Sequence, residues 1–374
     1  DSVYLHKIGS PSSSDILLYK ESDNEFNLSL SLSRTKKYIY INIESTNSNE
    51  IRLIDTHNPI NKPLVFISRM ENHLYYLEHI EEENFFVRTN LDAPNFKVTK
   101  IKSLNNIDLA NFDTVISHSN STFINDILFI RDNLVLEIRE NGLPEIRIYN
   151  LKSNKEINIE FDDNAYDVSL AYNNELDGNS FNYYYSSLTT PPRVLSYDLE
   201  TSITQELWSK DIVSFNRNDY VDDRFFIESR DGTQIPIITI AHKSTNLKAA
   251  PILFYGYGSY GINIDASFRS SLIPLLDRGF IFSIINIRGG GEMGKYWYEE
   301  GRMLNKLNTF YDFNDGVRAV LSKDIGDSNN VFARGGSAGG LLMGGIINME
   351  PELYTGILNG VPFVDVLTTM SDPS

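Results

Sequence analysis

Gly335-Gly336-Ser337-Ala338-Gly339-Gly340 sits between a short apolar run, Val331 to Ala333, and a run with helical spacing from about Ala338 to Met349. A strand ending at Arg334, a glycine-flanked serine and a helix, in that order, predict a nucleophile elbow, a sharp turn that lifts a serine hydroxyl above the end of a sheet. The backbone at such a serine is strained, and only small residues two positions either side clear it. Gly335 and Gly339 meet that demand. The same turn aims the first helical amides at Ser337, so the Ala338 N–H is placed to donate to the oxyanion formed when a carbonyl is attacked. A Walker-type phosphate loop would need Lys followed by Ser or Thr at the helix start, where Leu341 and Leu342 stand.

Outward from this turn, strand and helix signals alternate. Ile252 to Tyr255 and Phe280 to Ile287 read as buried strands, and Ser270 to Leu276 has helical spacing that stops at Gly279. Phe310, Phe313, Val317, Val320 and Leu321 fall on one helical face, and Thr355 to Val361 reads as a further strand. Alternation of this kind predicts crossover connections and a doubly wound, mostly parallel sheet over residues 211–374. At its start, Arg230-Asp231-Gly232-Thr233 predicts a hairpin turn between Phe225–Glu228 and Ile235–Ala241.

Residues 1–210 read differently. Aromatic-rich alternating runs such as Lys37 to Ile43, Leu74 to Glu78, Leu128 to Ile130, Glu145 to Tyr149 and Tyr183 to Ser186 are separated by polar turns, with no convincing helix. They group into units over about 26–67, 68–110, 113–160 and 165–208, the length of a four-stranded propeller blade. A sandwich of the same strands stays open on periodicity alone.

Composition narrows the function classes. With 33 basic against 50 acidic residues the net charge is −17, which repels phosphate backbones and anionic membrane surfaces and suits cationic ligands. Nucleic acid and membrane partners are therefore not expected. No apolar run approaches the roughly 20 residues of a membrane span. The absence of cysteine excludes disulfides, thiolate zinc sites and Cys nucleophiles, and suits a reducing, cytoplasmic compartment. The six histidines show no paired metal-ligand spacing, so neither a metal nor a cofactor is expected. Arg288-Gly289-Gly290-Gly291-Glu292-Met293-Gly294 fits G-x-G-x-x-G literally. However, Asp312, at the distance of a ribose-binding acid, falls in a helical pattern, so the cluster reads as a tight loop. Tyr255-Gly256-Tyr257-Gly258-Ser259-Tyr260-Gly261 follows a strand at the end where such sheets bind ligands; a phenol there could donate to an oxyanion or simply pack in the loop.

These segments, with Asn308–Asp312 (NTFYD) and Val361–Asp365 (VPFVD), resemble in content and order the prolyl oligopeptidase family of serine peptidases, and within it the oligopeptidase B group. Arg34–Tyr38 and Tyr185–Pro191 resemble that family's propeller segments. The resemblance implies a partial β-propeller, about four of seven blades, over 1–210, joined to part of an α/β-hydrolase domain over 211–374. It implies that Ser337 is the nucleophile and that Tyr257 completes the oxyanion hole beside Ala338. Tyr260 would lie near the pocket for the residue on the acyl side of the cleaved bond, and Asp265 would recognise a basic side chain, with Ser267 where a second acid stands in the family. The implied substrate is a short basic peptide cut after Lys or Arg. No histidine follows Ser337, although this fold orders its triad Ser, acid, His. The chain is therefore expected to be an internal piece of an oligopeptidase, inactive alone, with the missing Asp and His on a complementing chain. The alternatives are a non-catalytic remnant and an esterase or dipeptidyl peptidase on the same fold.

Overall fold

The computed structural model describes residues 1–371 apart from 106 and 108. Four antiparallel four-stranded sheets follow one another along the chain. The first holds Asn27–Leu32, Tyr38–Glu44, Asn49–Asp55 and Leu64–Ile67; the second holds Tyr75–Glu81, Asn84–Thr89, Lys97–Ile101 and Asp113–Ile116. Thr122–Ile130, Asn133–Glu140, Leu143–Asn150 and Lys155–Asn158 make the third, and Tyr166–Leu170, Ser180–Ser187, Arg193–Asp198 and Thr204–Ser209 the fourth. Each strand pairs with its sequence neighbour, so every sheet is a meander.

The apolar clusters distinguish a propeller from a sandwich. Tyr38, Leu53 and Phe66 of the first sheet pack on Tyr75, Phe85 and Val87 of the second. Phe86 and Val98 of the second meet Ile124 and Leu136 of the third, and Ile146 and Ile148 of the third meet Val168 and Phe181 of the fourth. Every sheet thus covers the next in sequence, the stacking of blades around an axis.

One blade boundary shifts. Asp113–Ile116 pairs with Lys97–Ile101 and closes the second blade instead of opening the third. The true break is the polar stretch Ser117 to Ser121, which a unit count cannot separate from other polar turns. An additional two-stranded hairpin, Ser2–Leu5 with Ile16–Lys20, packs Val3 beside Phe26, Ile41 and Ile43 of the first blade.

Beyond Ser209 the chain enters a six-stranded sheet: β1 (Tyr220–Glu228), β2 (Gln234–His242), β3 (Ile252–Tyr255), β4 (Ile281–Ile285), β5 (Val331–Gly336) and β6 (Gly356–Gly360). Their spatial order is β1-β2-β4-β3-β5-β6. The first two are antiparallel and the rest parallel. Parallel strands buried on both faces lose polar alternation, and all five residues of β4 are buried. Period two still divides the core: Ile252 and Phe254 of β3 face the helices α1 (Lys306–Ser322) and α2 (Ala338–Met349), through Phe313, Val317, Leu342 and Met343. Leu253, between them, faces Leu272 and Leu276 on the other side. The run expected to be one helix from Ser270 to Leu276 is a 3₁₀ turn followed by a single α-helical turn, Ile273–Leu276. No helix among the described residues is long and apolar enough to cross a membrane.

Candidate active site

The chain runs from β3 to β4 on one side, then returns to β5 on the other side of β3. This reversal opens a crevice at the carboxyl ends of β3 and β5, where open α/β sheets bind ligands. The tyrosine-glycine loop leaves β3 there, and Ser337 leaves β5.

Ser337 has φ 55° and ψ −120°, the strained backbone the elbow requires, and it is exposed at the N-terminus of α2. Its N–H donates to the Gly360 carbonyl at 3.0 Å, and its carbonyl accepts from Phe363 N at 2.9 Å. The Val361–Asp365 segment thereby braces the strained residue. Asp365 itself caps a short helix, accepting from Thr368 N at 3.3 Å. A Cβ at Gly335 would lie 2.1 Å from the Gly339 carbonyl oxygen, so glycine is obligatory there. The tighter partner beyond the serine is Gly340, whose Cβ would meet Pro362 Cα at 2.5 Å, whereas Gly339 has 3.2 Å to its neighbours. Ala338 is buried, and its amide opens α2 beside the serine.

Tyr257 is half-buried, with its ring against the first turn of α2: Cδ2 and the Gly256 carbonyl would each be 3.2 Å from a Gly339 Cβ. Ser337, the Ala338 amide and the Tyr257 ring are therefore brought together. The loop that carries Tyr257 rests on α1, where a Cβ at Gly258 would strike Thr309 at 2.5 Å. The second glycine cluster is a packed loop, as read from sequence. A Cβ at Gly289 would lie 2.1 Å from the Gly258 oxygen, and one at Gly301 would lie 2.1 Å from Gly289 N. Asp312 clasps Arg288, accepting from Nε at 2.8 Å and from Nη2 at 2.6 Å, an ion pair in place of a ribose contact.

Tyr260 is 66% exposed, with φ 60°, and lines a cavity of about 270 Å³ between the domains together with Asn263, Tyr298 and the propeller residues Thr46, Asn90 and Phe123. Asp265 stands apart from Ser337 in the residues it touches: its carboxylate pairs with the buried guanidinium of Arg139, from the third blade. Sequence reasoning had no means of finding Arg139, because nothing in its strand distinguishes it. Glu292 lies within the glycine motif, where sequence alone gives it no role. Its Oε1 accepts from Ile264 N at 2.9 Å and Asn286 Nδ2 at 3.1 Å, while Oε2 is buried without a partner among the described residues. Burial pushes this carboxyl up to about 7, against the pull of the Ile264 amide and Arg139. Half-buried Asp167 is pushed up to about 6, by desolvation first and then by the charge of Asp265.

Five of the six histidines lie in the propeller half, and His242 bonds Ser244 Oγ at 2.7 Å. Among the described residues none hydrogen-bonds Ser337, and no group of His, Asp and Glu is arranged to hold a metal ion.

A family model described as the prolyl oligopeptidase N-terminal beta-propeller domain matches residues 1–210, and one for the prolyl oligopeptidase family matches 266–374. The chain belongs to the prolyl oligopeptidase family. Dipeptidyl aminopeptidase BI of Pseudoxanthomonas mexicana is 35% identical over 375 residues, covering 100% of this chain and 51% of that protein. Protease 2 of Moraxella lacunata is 34% identical over 374 residues, covering 100% and 53%. Oligopeptidase B from Leishmania major superposes with a TM-score of 0.91 at 30% identity, over 100% of this chain and 54% of that one. Oligopeptidase B from Trypanosoma brucei with covalently bound antipain, in a closed form, gives a TM-score of 0.91 at 32% identity and the same coverage. The chain spans about half the length of these relatives.

Proposed function

We propose that this chain carries the nucleophile and oxyanion-binding half of a serine oligopeptidase site, which cuts short peptides after Lys or Arg through an acyl-enzyme on Ser337. The carrying observation is the strained, exposed Ser337 at the N-terminus of α2, in the crevice where the Tyr257 loop converges on it. Ser337 Oγ attacks the scissile carbonyl and gives its proton to a base. Ala338 N–H and Tyr257 O–H hold the oxyanion, the leaving amine takes the proton, and water then releases the acyl group. The base and its orienting acid are the family's His and Asp, which none of the described residues supplies to Ser337. Preference for a basic side chain is supported by Asp265, which already accepts a guanidinium from Arg139, and by the net charge of −17. On this reading Arg139 yields to the substrate.

Labelling with a fluorophosphonate tests the proposal. Ser337 should label when a polypeptide carrying the Asp and His is supplied, and Ser337→Ala should not. Absence of labelling in every combination would leave the non-catalytic reading. The 35% identity to a dipeptidyl aminopeptidase favours a second specificity for the same serine, removal of N-terminal dipeptides. Blocked arginyl substrates and free dipeptidyl substrates distinguish the two.

A further inference from the structure

Lys306 opens α1 and is half-buried. Its Nζ donates to the Gly258 carbonyl at 2.5 Å and to Ser259 Oγ at 2.9 Å. Among the described residues no carboxylate pairs with it, and burial alone pulls its ammonium down to about 8. An unpaired, desolvated ammonium is unfavourable, and a methionine of similar length would fill the space without that penalty. The charge therefore points to a task that packing does not explain.

Its surroundings identify the task. Lys306, Thr309 and Phe313 recur at helical spacing on one face of α1, and the tyrosine-glycine loop is seated on that face. A Cβ at Gly256 would meet the Phe313 ring at 2.8 Å, and one at Gly258 would meet Thr309 at 2.5 Å. The loop takes left-handed backbone at Gly258 (φ 66°), Tyr260 (φ 60°) and Gly261 (φ 65°); the state is strained at Tyr260, and the flanking glycines leave an unrestrained chain free to depart from it. Thr309 and Phe313 press on the loop from below but give it no hydrogen bond. Lys306 supplies two, at the residues that immediately follow Tyr257.

We propose that Lys306 is a positioning residue, whose ammonium pins Gly258 and Ser259 so that Tyr257 is held against the Ser337 turn. This deepens the proposed function, since holding Tyr257 matters only if Ser337 is the nucleophile. It adds a residue outside the nucleophile and oxyanion set, acting through the loop without touching substrate.

Hydrogen exchange across residues 256–262 tests it in the whole chain, with Lys306→Met, Lys306→Arg and Ser259→Ala. Loss of a charge-assisted bond pair should speed exchange in that loop by roughly tenfold or more in Lys306→Met and by less in Ser259→Ala, with the core strand β4 unchanged. Arginine keeps charge and donors, so Lys306→Arg should hold exchange within about threefold of wild type. In the complemented protein, Lys306→Met should lower the maximal rate of fluorophosphonate acylation at Ser337 while leaving probe affinity intact, and Lys306→Arg should restore the rate. Loop exchange that is unchanged in Lys306→Met, or equally fast in both Lys306 variants, overturns the proposal. Should wild-type Ser337 never label, the nucleophile reading fails by itself, and the loop exchange still decides whether Lys306 pins the loop.

Discussion

Replacing Glu292 by glutamine should stabilise the protein at alkaline pH. The folded state holds this carboxyl's pKa at about 7 because it is buried, whereas the ordinary value is 4.5. Between those values the native chain retains a proton that the unfolded chain has released, so stability falls as pH rises through the interval. At roughly 1.4 kcal/mol per pH unit, the loss accumulated by pH 8 is about 3 kcal/mol. Glutamine keeps an oxygen for Ile264 N and Asn286 Nδ2 and has nothing to ionise. Glu292→Gln should therefore gain up to about 3 kcal/mol over wild type at pH 8, and the gap should close below pH 4.5. Urea unfolding followed through the fully buried Trp297, in the short helix Lys295–Glu299 that follows the loop, reports on the hydrolase domain, with a smaller change from the half-exposed Trp208 of the fourth blade. A difference between the two proteins that stays constant from pH 4.5 to 8, or that favours glutamate at pH 8, would refute the reasoning.

Other perturbations follow from the same contacts. Gly335→Ala places a methyl 2.1 Å from a backbone oxygen, so the elbow must shift; a loss of about 1–3 kcal/mol or more in chemical denaturation is expected, with loss of Ser337 labelling. Tyr257→Phe in the complemented protein should lower turnover on the order of 100- to 1,000-fold, and unchanged kinetics would remove Tyr257 from the oxyanion hole. Arg139→Met strands Asp265 beside Asp167 at the domain boundary; a loss of about 3–5 kcal/mol, read as earlier proteolysis and unfolding, is expected.

Sequence carried the elbow because its requirements are local. The turn, the strain and the small neighbours lie within six residues, and both helix and strand periods are visible on either side of Ser337. The blades were legible through period two and polar turns, although Ser117 to Ser121 shows how one turn among many decides which sheet a strand joins. Gly340 was undervalued because Pro362, the atom group that forbids a side chain there, arrives from a distant segment. Arg139 and Lys306 escaped for the same reason: the first becomes meaningful only when blade and hydrolase loops meet, and the second only when its helix seats a loop that begins 50 residues earlier.

The junction of Gly258, Gly289 and Gly301 sets a rule for anyone reshaping this crevice. Main chain abuts main chain at Gly289 and Gly301, so no second-site change of side chain can make room there, whereas Gly258, at φ 66°, meets the side chains of Thr309 and Ile287. Libraries that vary Gly289 and Gly301 will return glycine, and the cavity that Tyr260 lines is reshaped instead from the propeller wall, at Thr46, Asn90 and Phe123, where side chains alone are exchanged.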